Sequence, residues 1–139
     1  MEFVMDLKLC RQMILKLQAA GIRPTRQRTA LAVLLFKNEH RHITAEILHA
    51  EAKEANIWVT LSTVYNTLHH FTAAGILKEI VVNSERYFDT NISHHHHFYH
   101  EDSELLEDIS DEDIIISKLP PLNKNEKIRR VDVVVRVSV

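Results

Sequence analysis

Apolar side chains recur at every fourth position near the N-terminus: Met5, Leu9, Met13 and Leu17. This spacing keeps them on one face of a helix, which we predict over residues 5–20. Gly21 follows directly and suits the left-handed conformation in which helices commonly end.

Two further helices are predicted from their capping residues. Thr25 suits the N-cap of a second helix that runs through Phe36, with three leucines facing inward, Leu31, Leu34 and Leu35. Residues 38–42 are predicted to form a polar connection. Thr44 is predicted to cap a third helix, and Asn56 is placed to end it in a left-handed conformation.

A fourth helix is predicted over the segment STVYNTLHHFTAAG, with Ser62 as its N-cap. Three apolar residues fall within a narrow arc at about 100° per residue: Val64, Leu68 and Phe71. The opposite face carries small polar groups and one aromatic ring, on Ser62, Tyr65, Asn66 and His69. After Gly75, the runs ILKEIVV and RYFD, separated by Asn83, Ser84 and Glu85, predict a hairpin. Helices followed by such a hairpin are typical of a winged helix-turn-helix.

The remaining third of the chain has a different pattern. The runs HHFYHE, ELLEDI and IRRVDVVVRV are predicted as strands, and residues 111–118 as a helix. The last strand places Val131, Val133, Val135 and Val137 on one face. Such a small unit has little core of its own, and we expect a second copy of the chain to cover its open edge. The predicted fold is therefore α+β, with a winged helix-turn-helix domain at residues 1–90 and a small α/β dimerisation domain at residues 91–139.

Composition limits the class of protein. A chain of 139 residues with 45% hydrophobic content suits one or two small globular units. It contains no apolar run of the roughly 20 residues that a membrane helix needs, and no secretory signal. We therefore expect a soluble cytoplasmic protein without a membrane partner. Cys10 is the only cysteine, so a tetrathiolate zinc site is excluded.

Charge is unevenly distributed along the chain. Residues 1–90 carry 11 Lys and Arg against 9 Asp and Glu, whereas residues 91–139 carry 6 against 10. Residues 21–28 contain three arginines and no acid, while residues 101–113 contain eight acids and no base. This split indicates a basic working end and an acidic end that meets a partner.

The basic segment and the fourth helix together predict DNA binding. The second helix of a helix-turn-helix enters the major groove, where short polar side chains and a tyrosine ring can contact base edges. The predicted base-reading residues are Ser62, Thr63, Tyr65 and Asn66. Arginines hold phosphates or enter a narrow minor groove, a role predicted for Arg23, Arg26 and Arg28. Taken singly, each residue is equally well explained by a solvated helix face or an ordinary Arg-rich loop.

A run of four histidines, His94 to His97, is the main metal-binding candidate. On an extended segment these side chains alternate, so that His94 and His96 share one side while His95 and His97 share the other. Imidazole binds Zn, Fe, Mn and haem iron, and Asp89 upstream adds an oxygen ligand. A solvated polar loop is the alternative. With two glycines and none of the common catalytic motifs, the chain is not expected to be an enzyme.

Five segments in order, GIRPTRQR, RHITAEIL, LSTVYNTLHHFTAAGIL, RYFD and HHHHF, resemble the ferric uptake regulator (Fur) family of dimeric metal-responsive regulators. The resemblance covers about residues 9–137. Within that family, HHHHF, the terminal RVDVVVRV and the missing cysteines look most like the iron response regulator (Irr) branch. The resemblance implies a winged helix followed by an α/β dimerisation domain, and a homodimer bound to double-stranded operator DNA.

Residue by residue, the resemblance implies that Arg23 contacts the minor groove and Tyr65 the major groove. Asn66 stands where the family has an arginine, and Asn suits adenine better than guanine. The family's regulatory metal ligands fall on His42, Asp89 and His96, with Phe98 in place of the last histidine.

A second family metal site is matched more poorly still and is not predicted here. His95 and His97 fall at two of its positions, but its helix acid aligns near Ile115. Glu101 and Glu104 replace the first cysteine pair of the family's zinc clamp.

In the Irr branch the triple histidine is implied to bind haem, here through His95, His96 and His97. We therefore predict a regulator of iron and haem genes that binds AT-rich operators when iron is scarce and releases them when haem binds. One alternative is a direct Mn, Fe or Zn sensor that does not use haem. Another is a histidine-rich metal-handling module that does not read DNA.

Overall fold

The computed structural model describes residues 6–38 and 40–139, which form two compact units that divide between Ile92 and Ser93. The first unit contains α1 (Leu7–Ala19), α2 (Arg26–Phe36), β1 (His42–Ile43), α3 (Ala45–Glu54), α4 (Leu61–Ala73), β2 (Lys78–Val82) and β3 (Glu85–Asp89). The second contains β4 (His95–His100), β5 (Leu105–Ser110), a 3-10 turn (Asp111–Asp113) and β6 (Val134–Val137). Met5, predicted to lie in the first helix, is outside the described residues.

Local capping explains where the first three helices begin. The Asp6 carboxylate accepts hydrogen bonds from two backbone N–H groups at the start of α1, and the Thr25 and Thr44 hydroxyls each accept one at the starts of α2 and α3. The two threonine caps confirm the sequence prediction. Gly21, with a φ of 77°, and Asn56, with a φ of 58°, follow α1 and α3 in the left-handed conformation expected of them.

The predicted cap of the fourth helix is wrong by two residues. Thr60, not Ser62, is the N-cap of α4, because its Oγ1 accepts a hydrogen bond of 3.1 Å from the Thr63 backbone N–H. Ser62 therefore lies within the first turn, where its side chain is exposed. The predicted inward arc is confirmed, since the three members are fully buried: Val64, Leu68 and Phe71.

The predicted hairpin is confirmed as β2 and β3, joined by a two-residue turn. Asn83 and Ser84 both have positive φ, 53° and 64°, as a tight turn between twisted strands requires. Glu85, expected in the turn, instead opens β3 opposite Val82. β1 pairs with the other side of β3, which gives the strand order β1-β3-β2.

The polar connection predicted at residues 38–42 ends sooner than expected, because His42 belongs to β1. It pairs with Asp89 of β3, and the next residue, Ile43, is fully buried. One hydrophobic core underlies the helices and this sheet, built mainly from α2, α3 and α4. Helices followed by a two-stranded wing form the predicted winged helix-turn-helix.

The second unit is a three-stranded sheet of order β5-β4-β6. β4 is antiparallel to β5 and parallel to β6, so β5 and β6 are the edges of this sheet in the described chain. β6 covers only Val134–Val137 of the predicted valine strand, and Val131 and Val133 precede it.

The helix predicted at residues 111–118 is wrong. Only the 3-10 turn at Asp111–Asp113 forms, and residues 114–118 are irregular. Three consecutive isoleucines follow the turn, and β-branched side chains lose rotamer freedom in a helix. Among the described residues, no helix combines the length and apolar character that a membrane crossing requires.

Candidate nucleic-acid surface and metal-binding histidines

The outward face of α4 carries the predicted base-reading residues. Ser62 and Asn66 are exposed, while Thr63 and Tyr65 are half-buried. Because the opposite face is buried against the core, these four side chains lie on the side of the helix that a groove of DNA could meet.

Tyr65 is held in place by its neighbours. Its hydroxyl donates a hydrogen bond of 2.9 Å to Oε1 of Glu46 on α3, and its ring stacks on His69 with centroids 6.2 Å apart. The hydrogen bond to Glu46, with smaller contributions from burial and from the nearby charge, raises the pKa of the Tyr65 phenol above 10.0. The phenol is therefore a neutral hydrogen-bonding group at physiological pH.

A basic groove of about 470 Å³ lies between the start of α2 and the face of α4. Its lining residues are Thr25, Arg26, Gln27, Arg28, Thr63, Asn66, Thr67 and His70. The lining includes two arginines and no carboxylate, so the groove suits an anionic ligand such as a phosphate backbone.

The three predicted phosphate-binding arginines differ in their freedom to reach a ligand. Arg23 and Arg26 are exposed. Arg28 is half-buried, and its Nη1 donates a hydrogen bond of 2.9 Å to the Arg23 carbonyl oxygen. Arg28 thus helps to shape the segment that presents Arg23.

His42 and Asp89 form a pair in the first unit. They face each other across β1 and β3, with 3.1 Å between Nε2 of His42 and Oδ2 of Asp89. Asp89 is fully buried, and its other oxygen accepts a hydrogen bond of 2.8 Å from the Asn91 backbone N–H. The structure thus brings together two of the three predicted metal ligands.

In the second unit, the alternation predicted for the histidine run is confirmed. The rings of His95 and His97 lie on one face of β4 with centroids 4.6 Å apart, and those of His94 and His96 lie on the other at 5.2 Å. Both rings of each pair lie close to the carboxylate of one aspartate.

On the first face, Asp108 of β5 stands opposite His97. Its Oδ1 lies 3.3 Å from Nε2 of His95 and 3.4 Å from Nε2 of His97. Nδ1 of His95 lies 2.6 Å from the Ser93 carbonyl oxygen. Because a carbonyl only accepts, Nδ1 carries the proton, and Nε2 is the nitrogen through which a neutral His95 would coordinate a cation beside Asp108.

On the second face, Asp111 lies 3.4 Å from Nδ1 of His94 and 3.3 Å from Nε2 of His96. Here the protonation differs. Nδ1 of His96 accepts a hydrogen bond of 3.0 Å from the Val133 backbone N–H, so a neutral His96 carries its proton on Nε2. His96 thus holds the segment before β6 through this hydrogen bond, and its Nε2–H points to Asp111 as a donor.

Sequence reasoning missed Asp108 and Asp111 as partners of the histidines, and Glu46 as the partner of Tyr65. The run of eight acids contained the first two, but alternation within β4 does not reveal which acid lies opposite which histidine. Only the register of β4 with β5 identifies Asp108.

Comparison with known proteins gives one family and several relatives. The model of the ferric uptake regulator family matches residues 19–136. The chain is 37% identical over 62 residues to the ferric uptake regulation protein of Pseudomonas fluorescens, a match over 45% of this chain and 50% of that protein. It is 35% identical over 79 residues to the peroxide-responsive repressor PerR of Staphylococcus aureus, over 56% and 53% of the two chains. These matches span about half the length of each curated relative.

Solved structures show the same fold over most of the chain. The ferric uptake regulator from Pseudomonas aeruginosa, solved with manganese, gives a TM-score of 0.68 at 23% identity and covers 89% of this chain and 95% of that one. The Vibrio cholerae ferric uptake regulator gives 0.69 at 20% identity, over 91% and 98%. At these identities the likeness supports the α+β fold and carries no argument about ligands.

Proposed function

The chain belongs to the ferric uptake regulator family, and from that premise we propose that it is a DNA-binding transcriptional regulator controlled by a divalent metal, and not an enzyme. It would bind double-stranded operator DNA through the first unit and sense the metal through its histidines. The arrangement of His95, His97 and Asp108 is the observation that carries the metal part of the proposal.

The donor set fits a divalent ion. Two imidazole nitrogens converge on one carboxylate oxygen, at 3.3 and 3.4 Å, and both histidines are almost fully buried. Imidazole with carboxylate suits Zn, Fe and Mn. The Ser93 carbonyl holds the His95 ring in the tautomer that coordinates through Nε2, which is the usual outer-shell arrangement around a metal-bound histidine.

The predicted ligand set of His42, Asp89 and His96 takes residues from both units and stays a prediction. Within the second unit, the proton on Nε2 of His96 makes it a poorer ligand than His95. We therefore expect His95 and His97 to supply the imidazole ligands of that unit, and the His42 and Asp89 pair to offer donors in the first unit.

DNA binding is proposed from the outward face of α4 and the basic groove beside it. Asn66 and Ser62 can hydrogen-bond base edges, and the half-buried Tyr65 ring can contact thymine methyl groups. Arg23 and Arg26 supply positive charge for the phosphates. A homodimer would present two such surfaces to a pseudo-palindromic, AT-rich operator of iron genes.

Haem is a second candidate effector, favoured by the unbroken run of imidazoles on β4. Haem iron takes axial imidazole ligands. His95, His96 and His97 are each at most 4% exposed, so haem binding through them requires at least one ring to leave its buried position. The Irr-like haem response stays a prediction.

A paired metal and DNA titration tests this function. The purified protein first selects duplexes from genomic DNA. Wild type and the double variant His95→Ala/His97→Ala are then titrated with these duplexes in the presence of Mn²⁺, Fe²⁺, Zn²⁺ or EDTA. We expect the metal to change wild-type affinity for selected duplexes at least about tenfold, a coupling of about 1.4 kcal/mol, and the double variant to lose this response.

His100→Ala is the matched control, because His100 lies on the same strand but is only half-buried, unlike His95 and His97. It should respond to metal as wild type does. If wild type binds duplexes only non-specifically and in a salt-sensitive way, the result contradicts DNA regulation. A haem titration followed by absorbance, with loss of DNA on haem binding but no response to metal, would replace the divalent ion with haem.

A further inference from the structure

Trp58 is the only tryptophan in the sequence, and it is 93% exposed in the loop between α3 and α4. Its neighbours Ile57 and Val59 are partly buried against the hydrophobic core. The alternation of these three side chains turns the indole outward. An isolated exposed tryptophan leaves a large apolar surface in water, and such residues are enriched where proteins bind partners.

The exposure of Trp58 does not come from a loose loop. Three hydrogen bonds hold the backbone of residues 57–59, two from α3 and one from α2. They join the Ile57 N–H to the Ala52 carbonyl (2.8 Å), Nε2 of Gln27 to the Trp58 carbonyl (2.8 Å) and Nε2 of His49 to the Val59 carbonyl (3.1 Å). The indole is thus presented from a fixed backbone, which lowers the entropy lost when a partner binds it.

The loop lies next to the surface proposed to bind DNA. Trp58 is two residues before Thr60, the N-cap of α4. Gln27, which holds the Trp58 carbonyl, also lines the basic groove between α2 and α4. The indole is therefore attached to the same framework that carries Arg26 and Asn66.

The charge around Trp58 favours an anionic partner. The indole borders a cleft of about 530 Å³ that is lined by His49, Lys53, Asn56, Ile57, Trp58 and Val59. Lys53 supplies a positive charge, and the lining contains no carboxylate. The basic groove beside α4 also contains none.

We propose that Trp58 contacts the sugar–phosphate backbone of duplex DNA at the edge of the groove that α4 enters. The indole ring packs on deoxyribose, its Nε1–H donates to a phosphate oxygen, and Lys53 lies beside the same strand. This inference rests on the proposed function and adds a residue outside the basic segment and α4. Since a backbone contact carries no base information, Trp58 contributes affinity and little specificity.

Fluorescence anisotropy with labelled duplexes tests the contact. Wild type, Trp58→Ala and Trp58→Phe are titrated with a selected genomic duplex and with a random-sequence duplex, in the metal state that binds more tightly. We expect Trp58→Ala to weaken binding of both duplexes about tenfold, equivalent to about 1.4 kcal/mol. Trp58→Phe keeps a ring but loses the N–H donor, so its loss should be smaller.

Leu15→Ala is the matched control, because Leu15 is an exposed apolar residue of α1. It should bind both duplexes as wild type does. Circular dichroism of each variant should match wild type, since neither side chain is buried. In wild type, added duplex should also shield the single tryptophan from quenching by acrylamide.

The outcomes separate the two proposals. If wild type binds duplexes and Trp58→Ala binds them within twofold as tightly, the contact is overturned and the proposed function stands. If wild type binds no duplex, the proposed function fails and the contact fails with it. Shielding of Trp58 that grows with protein concentration without DNA would assign the residue to a protein–protein contact and overturn the inference.

Discussion

The Tyr65 hydroxyl donates a 2.9 Å hydrogen bond to the Glu46 carboxylate, which links the outward face of α4 to the first turn of α3. This bond fixes the tyrosine ring that the family resemblance places in the major groove. It also sets a negative charge beside a surface proposed to meet phosphates. Glu46 should therefore orient Tyr65 at the expense of some affinity for DNA.

Replacing Glu46 with glutamine separates its effect on the orientation of Tyr65 from the effect of its negative charge on DNA binding. The glutamine carbonyl can still accept the Tyr65 hydrogen bond, but the repulsion of phosphates is gone. We expect Glu46→Gln to bind random and selected duplexes about twofold to fivefold more tightly at low salt, a gain of up to about 1 kcal/mol. Anisotropy titrations at two salt concentrations measure this gain, which should shrink at higher salt. Weaker binding by Glu46→Gln would contradict the repulsion.

Tyr65 should lose its proton at higher pH than an ordinary tyrosine. The bond to Glu46 raises the pKa of the phenol above 10.0 and favours the neutral form in the folded protein. The stability from this bond is present below about pH 10 and is lost as pH rises through the raised pKa. Absorbance of tyrosinate near 295 nm, compared between wild type and Tyr65→Phe, should show the late titration. A Tyr65 signal that titrates at or below pH 10 would be inconsistent with the bond.

The cap of α4 predicts a contrast between two neighbouring hydroxyl residues. Thr60→Ala removes the side-chain acceptor of the Thr63 N–H and should lower the free energy of unfolding by about 1 kcal/mol. Ser62→Ala, two residues later, changes an exposed side chain and should cost less than about 0.5 kcal/mol. Urea unfolding followed by circular dichroism at 222 nm compares them. Equal losses of unfolding free energy in the two variants would contradict Thr60 as the N-cap and favour the predicted cap at Ser62.

Adjacent histidines of β4 should differ in what they do. His95→Ala should abolish or strongly weaken binding of Mn²⁺ or Zn²⁺ by the second unit, because it removes an oriented imidazole next to Asp108. His96→Ala leaves the Val133 N–H without its acceptor, so it should lower stability by about 1–3 kcal/mol while metal affinity changes little. Calorimetric metal titration and urea unfolding of both variants measure the two effects. Loss of metal binding in His96→Ala alone would support the ligand set predicted from the family resemblance.

Short-range patterns predicted most of the secondary structure. Helix caps such as Thr25 and Thr44, the left-handed Asn56 and the turn at Asn83 each depend on a few neighbouring residues, and all were found where expected. The errors also have local causes. Two hydroxyl residues near the start of α4 compete for one cap, and the charged stretch at residues 111–113 resembles a helix start although isoleucines follow it.

The sequence by itself determined the inward arc of α4, the two faces of the histidine run and the order of the winged helix. Each follows from backbone geometry, which gives helices and strands fixed side-chain periods. Tertiary structure alone decided that Asp108 meets His95 and His97, that Glu46 meets Tyr65, and that Trp58 stays in water. Those relationships join residues on different elements, and they depend on strand register and helix packing, which no local pattern encodes.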